Sequence, residues 1–216
     1  MMKRFTLAAA ALFALAAAGP AQAGTITFTL DNKIGTGDQP LGTPTVTITD
    51  LIGGGVQLTM NASALDPAQK ISEWAFNVNS TSLTASNFSF VSGSVQAQSI
   101  SLTRGSISGT GSAGGTFNID FSFNTSAGGA FFGGNTVVYN IANVTTAMFT
   151  APLNQISSTA LWYTAAHIQS IPGATSGAVG TATYTNAVPE PASVAMALTA
   201  VGAMGLVSLR RRARTA

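Results

Sequence analysis

His167 is the only histidine in the chain, and no cysteine accompanies it. It stands in the run Trp162-Tyr163-Thr164-Ala165-Ala166-His167-Ile168. An imidazole can act as a general base, a metal ligand or a hydrogen-bonded strand residue. Nucleophilic catalysis needs it gathered with a serine and an acid. The many serines single out none, and no Gly-x-Ser-x-Gly elbow precedes a helix. A zinc site of the usual kind needs more His or Cys ligands, so carboxylates would have to complete one here. The expected role is a hydrogen-bonded histidine on a strand face or edge. The alternative sets it beside Trp162 or Tyr163 in a shallow sugar-binding surface.

Paired carboxylates are the other route to catalysis. Asp66 falls in a turn signal, Asp66-Pro67, and Glu73 follows on the polar side of a strand ahead of Trp74. Retaining glycosidases hold their two carboxyls about 5 Å apart and inverting ones further. Asp120 is a third acid available to such a pair, but solvated surface acids are the expectation. Asp31, Asn32 and Asp38 could ring a hard cation, although no Asp-x-Asp-x-Asp-Gly pattern accompanies them. Gly109-Thr110-Gly111-Ser112-Ala113-Gly114 resembles a phosphate loop without the lysine or helix such a loop needs. No catalytic residue, cofactor or metal is expected, and the chain reads as a non-enzyme.

The elements that would carry these residues are strands. Phe117, Ile119, Phe121 and Phe123 alternate with Asn118, Asp120, Ser122 and Asn124, the period of a strand with one wet face. Residues 25–30, 45–49, 56–60, 73–79, 88–91, 95–102, 136–141, 147–150 and 159–168 repeat the pattern. Between them stand turn signals such as Gly53-Gly54-Gly55, Gly128-Gly129 and Gly133-Gly134. Outside the two ends no stretch has helical periodicity. Many short strands with Gly-rich turns predict an all-β fold, an antiparallel β-sandwich that is jelly-roll-like. Residues 103–115 are expected as a loose loop. Residues 173–187 are expected as a final strand or, near their end, a flexible stalk.

Charge separates the middle from the ends. Residues 24–187 hold three basic and six acidic side chains, a net charge of −3, although the whole chain carries +2. A nucleic-acid partner, which needs clustered positive charge, is therefore not expected. Without disulfides, stability must come from a packed core. Thr and Ser supply 44 residues of this middle stretch. Its wet faces must be hydrated through hydroxyls and amides, a surface suited to hydrated polysaccharide or O-linked glycans. Low charge also leaves strand edges weakly protected against edge-to-edge association.

The ends read as addresses. Lys3 and Arg4 precede an apolar run over residues 5–18, and Ala21-Gln22-Ala23 offers small residues for cleavage before Gly24. That is the form of a secretory signal peptide. At the other end Val188-Pro189-Glu190-Pro191 leads into an uncharged apolar run, residues 192–209, followed by Arg210, Arg211, Arg212 and Arg214. Eighteen residues make about 27 Å of helix, near the thickness of a bilayer core, and the arginines stop transfer. The prolines keep the peptide before it extended. The expected order is a signal peptide at 1–23, a sandwich at 24–187 and a C-terminal tail at 188–216 with a transmembrane helix.

This tail, with Ala192 and Ser193 after the Pro-Glu-Pro, resembles the PEP-CTERM sorting signal of Gram-negative bacteria. The resemblance implies a substrate of exosortase, an integral-membrane cysteine peptidase that removes the tail near the motif during export. It implies passage through the Sec translocon and signal peptidase, and a transient stay at the inner membrane with the body in the periplasm. The destination it implies is the cell surface or extracellular matrix, in association with exopolysaccharide or biofilm. Residues 45–50, 54–60, 74–78 and 165–169 are similar to the bodies of other PEP-CTERM exported proteins, which brings no activity with it.

Overall fold

The computed structural model describes residues 24–187, apart from residues 104, 109–115, 127 and 152–161. Alternation settles most of the strands. In β1 (Thr25–Thr29) Ile26 and Phe28 point inward while the threonines face out. The same holds for Val46 and Ile48 of β3 (Thr45–Asp50), and for Val56, Leu58 and Met60 of β4 (Val56–Asn61). It holds again for Val137, Tyr139 and Ile141 of β10 (Thr136–Ile141). The β3–β4 hairpin turns through Gly53, Gly54 and Gly55, all at positive φ, a region costly for side-chain-bearing residues.

Two antiparallel sheets result. The first, sheet A, runs β13-β1-β3-β4-β10-β6, with β6 at Phe88–Gly93 and β13 at Thr185–Ala187. The second, sheet B, runs β2-β12-β11-β5-β8-β7, and β9 also pairs with β5. Its strands are β2 (Asn32–Ile34), β5 (Lys70–Phe76), β7 (Ser99–Ser101), β8 (Ile119–Ser122), β9 (Phe131–Phe132), β11 (Thr164–Gln169) and β12 (Ser176–Thr181). The inner faces share one core. Phe28, Leu58 and Tyr139 come from sheet A; Trp74, Phe76, Phe121 and Phe131 come from sheet B. Phe121 and Tyr139 meet across the layers with ring centroids 5.1 Å apart. Burying each such side chain contributes about 1.5–3 kcal/mol, and edge-on ring packing adds to that.

Three expectations need correction, the first being the strand expected over 95–102, of which only Ser99–Ser101 forms. Residues 146–150 form a one-turn helix, α1 (Thr146–Thr150), where a strand was expected over 147–150. Asp50 Oδ1 accepts the Thr146 N–H at 2.8 Å and Oδ2 the Thr146 hydroxyl at 2.8 Å, so a tertiary contact from β3 satisfies one of the N–H groups that the first turn of a helix leaves without a partner. The end of the 173–187 stretch is not a stalk but β13, paired with β1 so that Ala187 faces Thr25. Among the described residues no helix is long and apolar enough to cross a membrane; the signal peptide at 1–23 and the transmembrane helix expected at 192–209 lie outside them.

Candidate functional site

Three of the six ionisable candidates, Glu73, Asp120 and His167, converge on the outer face of sheet B. In the β5–β11 ladder Glu73 faces His167, and in the β5–β8 ladder it faces Ser122 while Ala75 faces Asp120. Glu73 and Asp120 are thus diagonal neighbours, with Cα atoms about 7–8 Å apart. The pairing of β5 with β11 slips by one residue beside His167. Ser72, the extra residue of this bulge, turns its hydroxyl to His167 Nδ1 at 2.7 Å and to the His167 carbonyl at 3.3 Å. Both residues are buried, so the pair clamps the bulge.

That geometry does not make a nucleophilic triad. The Ser72 hydroxyl is turned into the sheet, and Glu73 is committed elsewhere. Its Oε2 accepts the Ser108 N–H at 2.7 Å and its Oε1 accepts the Ser108 hydroxyl. Burial pulls the His167 pKa below its ordinary value, and the Glu73 charge only partly offsets this. The imidazole is consequently neutral near pH 7.

Asp120 is the perturbed acid. Burial pushes its carboxyl up to about 6, the neighbouring Glu73 charge adds to the rise, and the Ser122 hydroxyl opposes it. Ser122 donates to Oδ2 at 3.4 Å, while Oδ1 is buried with no hydrogen-bond partner among the described residues. The carboxyl opens on a cleft of about 230 Å³ walled by Ala75, Ser101, Thr103, Ile107 and Phe117. That is smaller than the roughly 300–1,000 Å³ of common small-molecule sites. A raised carboxyl beside an ionised one is the division of labour that acid–base hydrolysis uses. Here the partner carboxyl, Glu73, already accepts two hydrogen bonds from Ser108.

An apolar patch borders this cleft. Ile107 and Phe117, from the connection between β7 and β8, lie on Ala75, Ala165, Ala178 and Ile34, with Trp162 packed against them. Tyr163 belongs to another group, 5.7 Å from Phe28 and 5.4 Å from Tyr184 by ring centroids. Trp162 and Tyr163 therefore do not form one platform beside His167.

The remaining candidates are dispersed. Asp66 Oδ1 accepts the Ala68 N–H at 2.8 Å and so closes a turn. Asp66 thus serves the turn ahead of β5, while Glu73 lies inside that strand and is bound to Ser108. Asp31 Oδ1 takes a hydrogen bond from Asn32 at 2.7 Å. Among the described residues no group of three or more acidic or histidine side chains is placed to hold a metal. The Gly-rich stretch 109–114 lies outside the described residues. Sequence reasoning missed Ser72, Ser108 and the Ile107–Phe117 patch; Phe117, beginning an alternating apolar run, was their one visible signal.

The outer face of sheet A is different in kind. Thr25 faces Thr49, Thr27 faces Thr47, and Thr47 faces Thr59 on the next strand. The first two pairs join hydroxyl to hydroxyl at 3.2 and 3.3 Å. Gln57 and Asn140 continue the row, with Val138 opposite Thr59 between them, so this face is mainly hydroxyl and amide and carries no charge. At its edge β13 ends at Ala187, opposite Thr25, with Gly24 just before it. Cleavage residues Ala21 and Ala23, the sorting residues Val188, Pro189, Glu190 and Pro191, and Arg210, Arg211, Arg212 and Arg214 lie outside the described residues.

No curated protein and no solved structure matches the chain. Residues 187–212 match one family, the PEP-CTERM protein-sorting motif, beginning on the last residue of β13. The chain therefore carries a PEP-CTERM sorting domain of the kind found in exosortase substrates, directly behind its β-sandwich.

Proposed function

We propose that residues 24–187 are a non-enzymatic surface or matrix protein. The signal peptide at 1–23 starts its export through the Sec translocon and signal peptidase. Exosortase then detaches it from the inner membrane near Val188-Pro189-Glu190-Pro191, and the released body associates with extracellular polysaccharide. The observation that carries the reading is the sorting motif at 187–212. The threonine face of sheet A supports the polysaccharide part. Its regularly spaced hydroxyls can exchange hydrogen bonds with sugar hydroxyls without desolvating a charge. Intact-mass analysis of the surface-released protein tests the sorting step; a mass that still includes Arg214 counts against it. Retention of the processed protein on the producer's own exopolysaccharide tests the binding step, and Thr47→Lys should abolish retention while the protein stays folded.

A second reading, a self-assembling adhesive subunit, is favoured by β6. This edge strand carries no charge and leaves Phe90 and Val91 exposed. Light scattering that finds only monomer at high concentration removes it. A third, a secreted glycan hydrolase, rests on the Asp120 carboxyl with pKa about 6; it requires a turnover that Asp120→Asn abolishes.

A further inference from the structure

Gly24 faces Asp50 at the corner where β1, β3 and α1 meet. The Asp50 N–H donates to the Gly24 carbonyl at 2.8 Å. A Cβ on Gly24 would stand 2.7 Å from Asp50 Oδ2 and 2.8 Å from the Thr146 hydroxyl, so a side chain has no room there. The Gly24 nitrogen shares the Cα with that Cβ position and lies about 2.5 Å from it, which puts it within roughly 5 Å of Oδ2. Asp50 has spent two acceptor positions on Thr146 and keeps about two more. Asp50 is also the only ionisable side chain on β1, β3, β4, β13, α1 and the 51–55 turn.

We propose that Asp50 is the receptor for the chain's own α-ammonium, made when cleavage after Ala23 leaves Gly24 as the first residue. The inference rests on the export reading above. Water adds across the Ala23–Gly24 amide, leaving a carboxylate on Ala23 and an amine on Gly24 that takes up a proton at neutral pH. In the precursor the same nitrogen is an uncharged amide. Processing thus adds an ion pair that ties the start of β1 to the end of β3 and to α1.

The full-length chain is exported, processed and purified, its first residue is read by mass spectrometry, and its amines are labelled by ¹³C reductive methylation. The mature protein has two lysines, Lys33 and Lys70, so three amine signals titrate separately. The α-amine should titrate about one unit above its ordinary ~7.7–8.0 and return to that range in Asp50→Asn. An alanine inserted after Ala23 should restore the ordinary value with Asp50 intact, which keeps the test decisive if Asp50→Asn does not fold. An ordinary value in the unaltered protein, or one that neither variant moves, overturns the proposal. A first residue other than Gly24 overturns it too, and leaves the sorting step at Val188-Pro189-Glu190-Pro191 standing.

Discussion

Thr25, Thr27, Thr47, Thr49 and Thr59 meet water as an open, neutral lattice on sheet A. Glu73, Asp120 and His167 occupy the matching side of sheet B, roofed in part by Ile107 and Phe117. Both faces belong to one sandwich, and both lie outside its core. What separates them is cover. A bare face can remain uncharged and be hydrated through hydroxyls. A roofed one buries ionisable groups, moves their pKa values and needs its own small apolar cluster to hold the roof down.

The sharpest way to break this contrast is to empty each cluster in turn. Phe121→Ala, in the shared core, should cost about 4–5 kcal/mol, and Phe117→Ala, in the roof itself, about 3 kcal/mol. Urea unfolding compares the two, and equal losses would mean that the roof is part of the main core. Ser72→Ala follows at about 1–2 kcal/mol, because it strands a buried imidazole nitrogen.

The acidic face should then declare itself through pH. Asp120 titrates near 6 when folded and close to its ordinary 3.8 when unfolded. The folded state therefore holds the proton more tightly. This contribution is complete below about pH 4 and disappears as pH rises through 6, a change of about 1 kcal/mol after screening at a part-exposed carboxyl. His167 has the opposite sign, since its lowered pKa makes acid destabilising as it becomes charged. Asp120→Asn should remove the first slope and leave the second. Thr47→Ala should be the mildest change, within about 0.5 kcal/mol by thermal melting, and should show no pH dependence.

Four strands of sheet A, β1, β3, β4 and β10, were legible because each has one wet face. Residues 25–29, 45–50, 56–61 and 136–141 alternate without interruption, and the Gly53-Gly54-Gly55 turn announces itself. Helix α1 was not, since five residues with Ala147, Met148 and Phe149 show no period. Strands β2 and β9, of three and two residues, are too short to alternate. The acidic face was hidden for another reason. Glu73, Asp120 and His167 sit on separate strands far apart in the chain, and only strand order brings them together. The bulge at Ser72 depends on register, to which residue type alone is blind.

The pairing of Thr25 with Ala187 also sets how the fold answers a pull. The chain leaves both strands at the same corner, so tension between its two ends runs along the ladder bonds and loads them one after another. Such a corner opens like a zipper, at low force. A short terminal strand acts as a mechanical fuse, letting the three residues of β13 peel away before stress reaches the core.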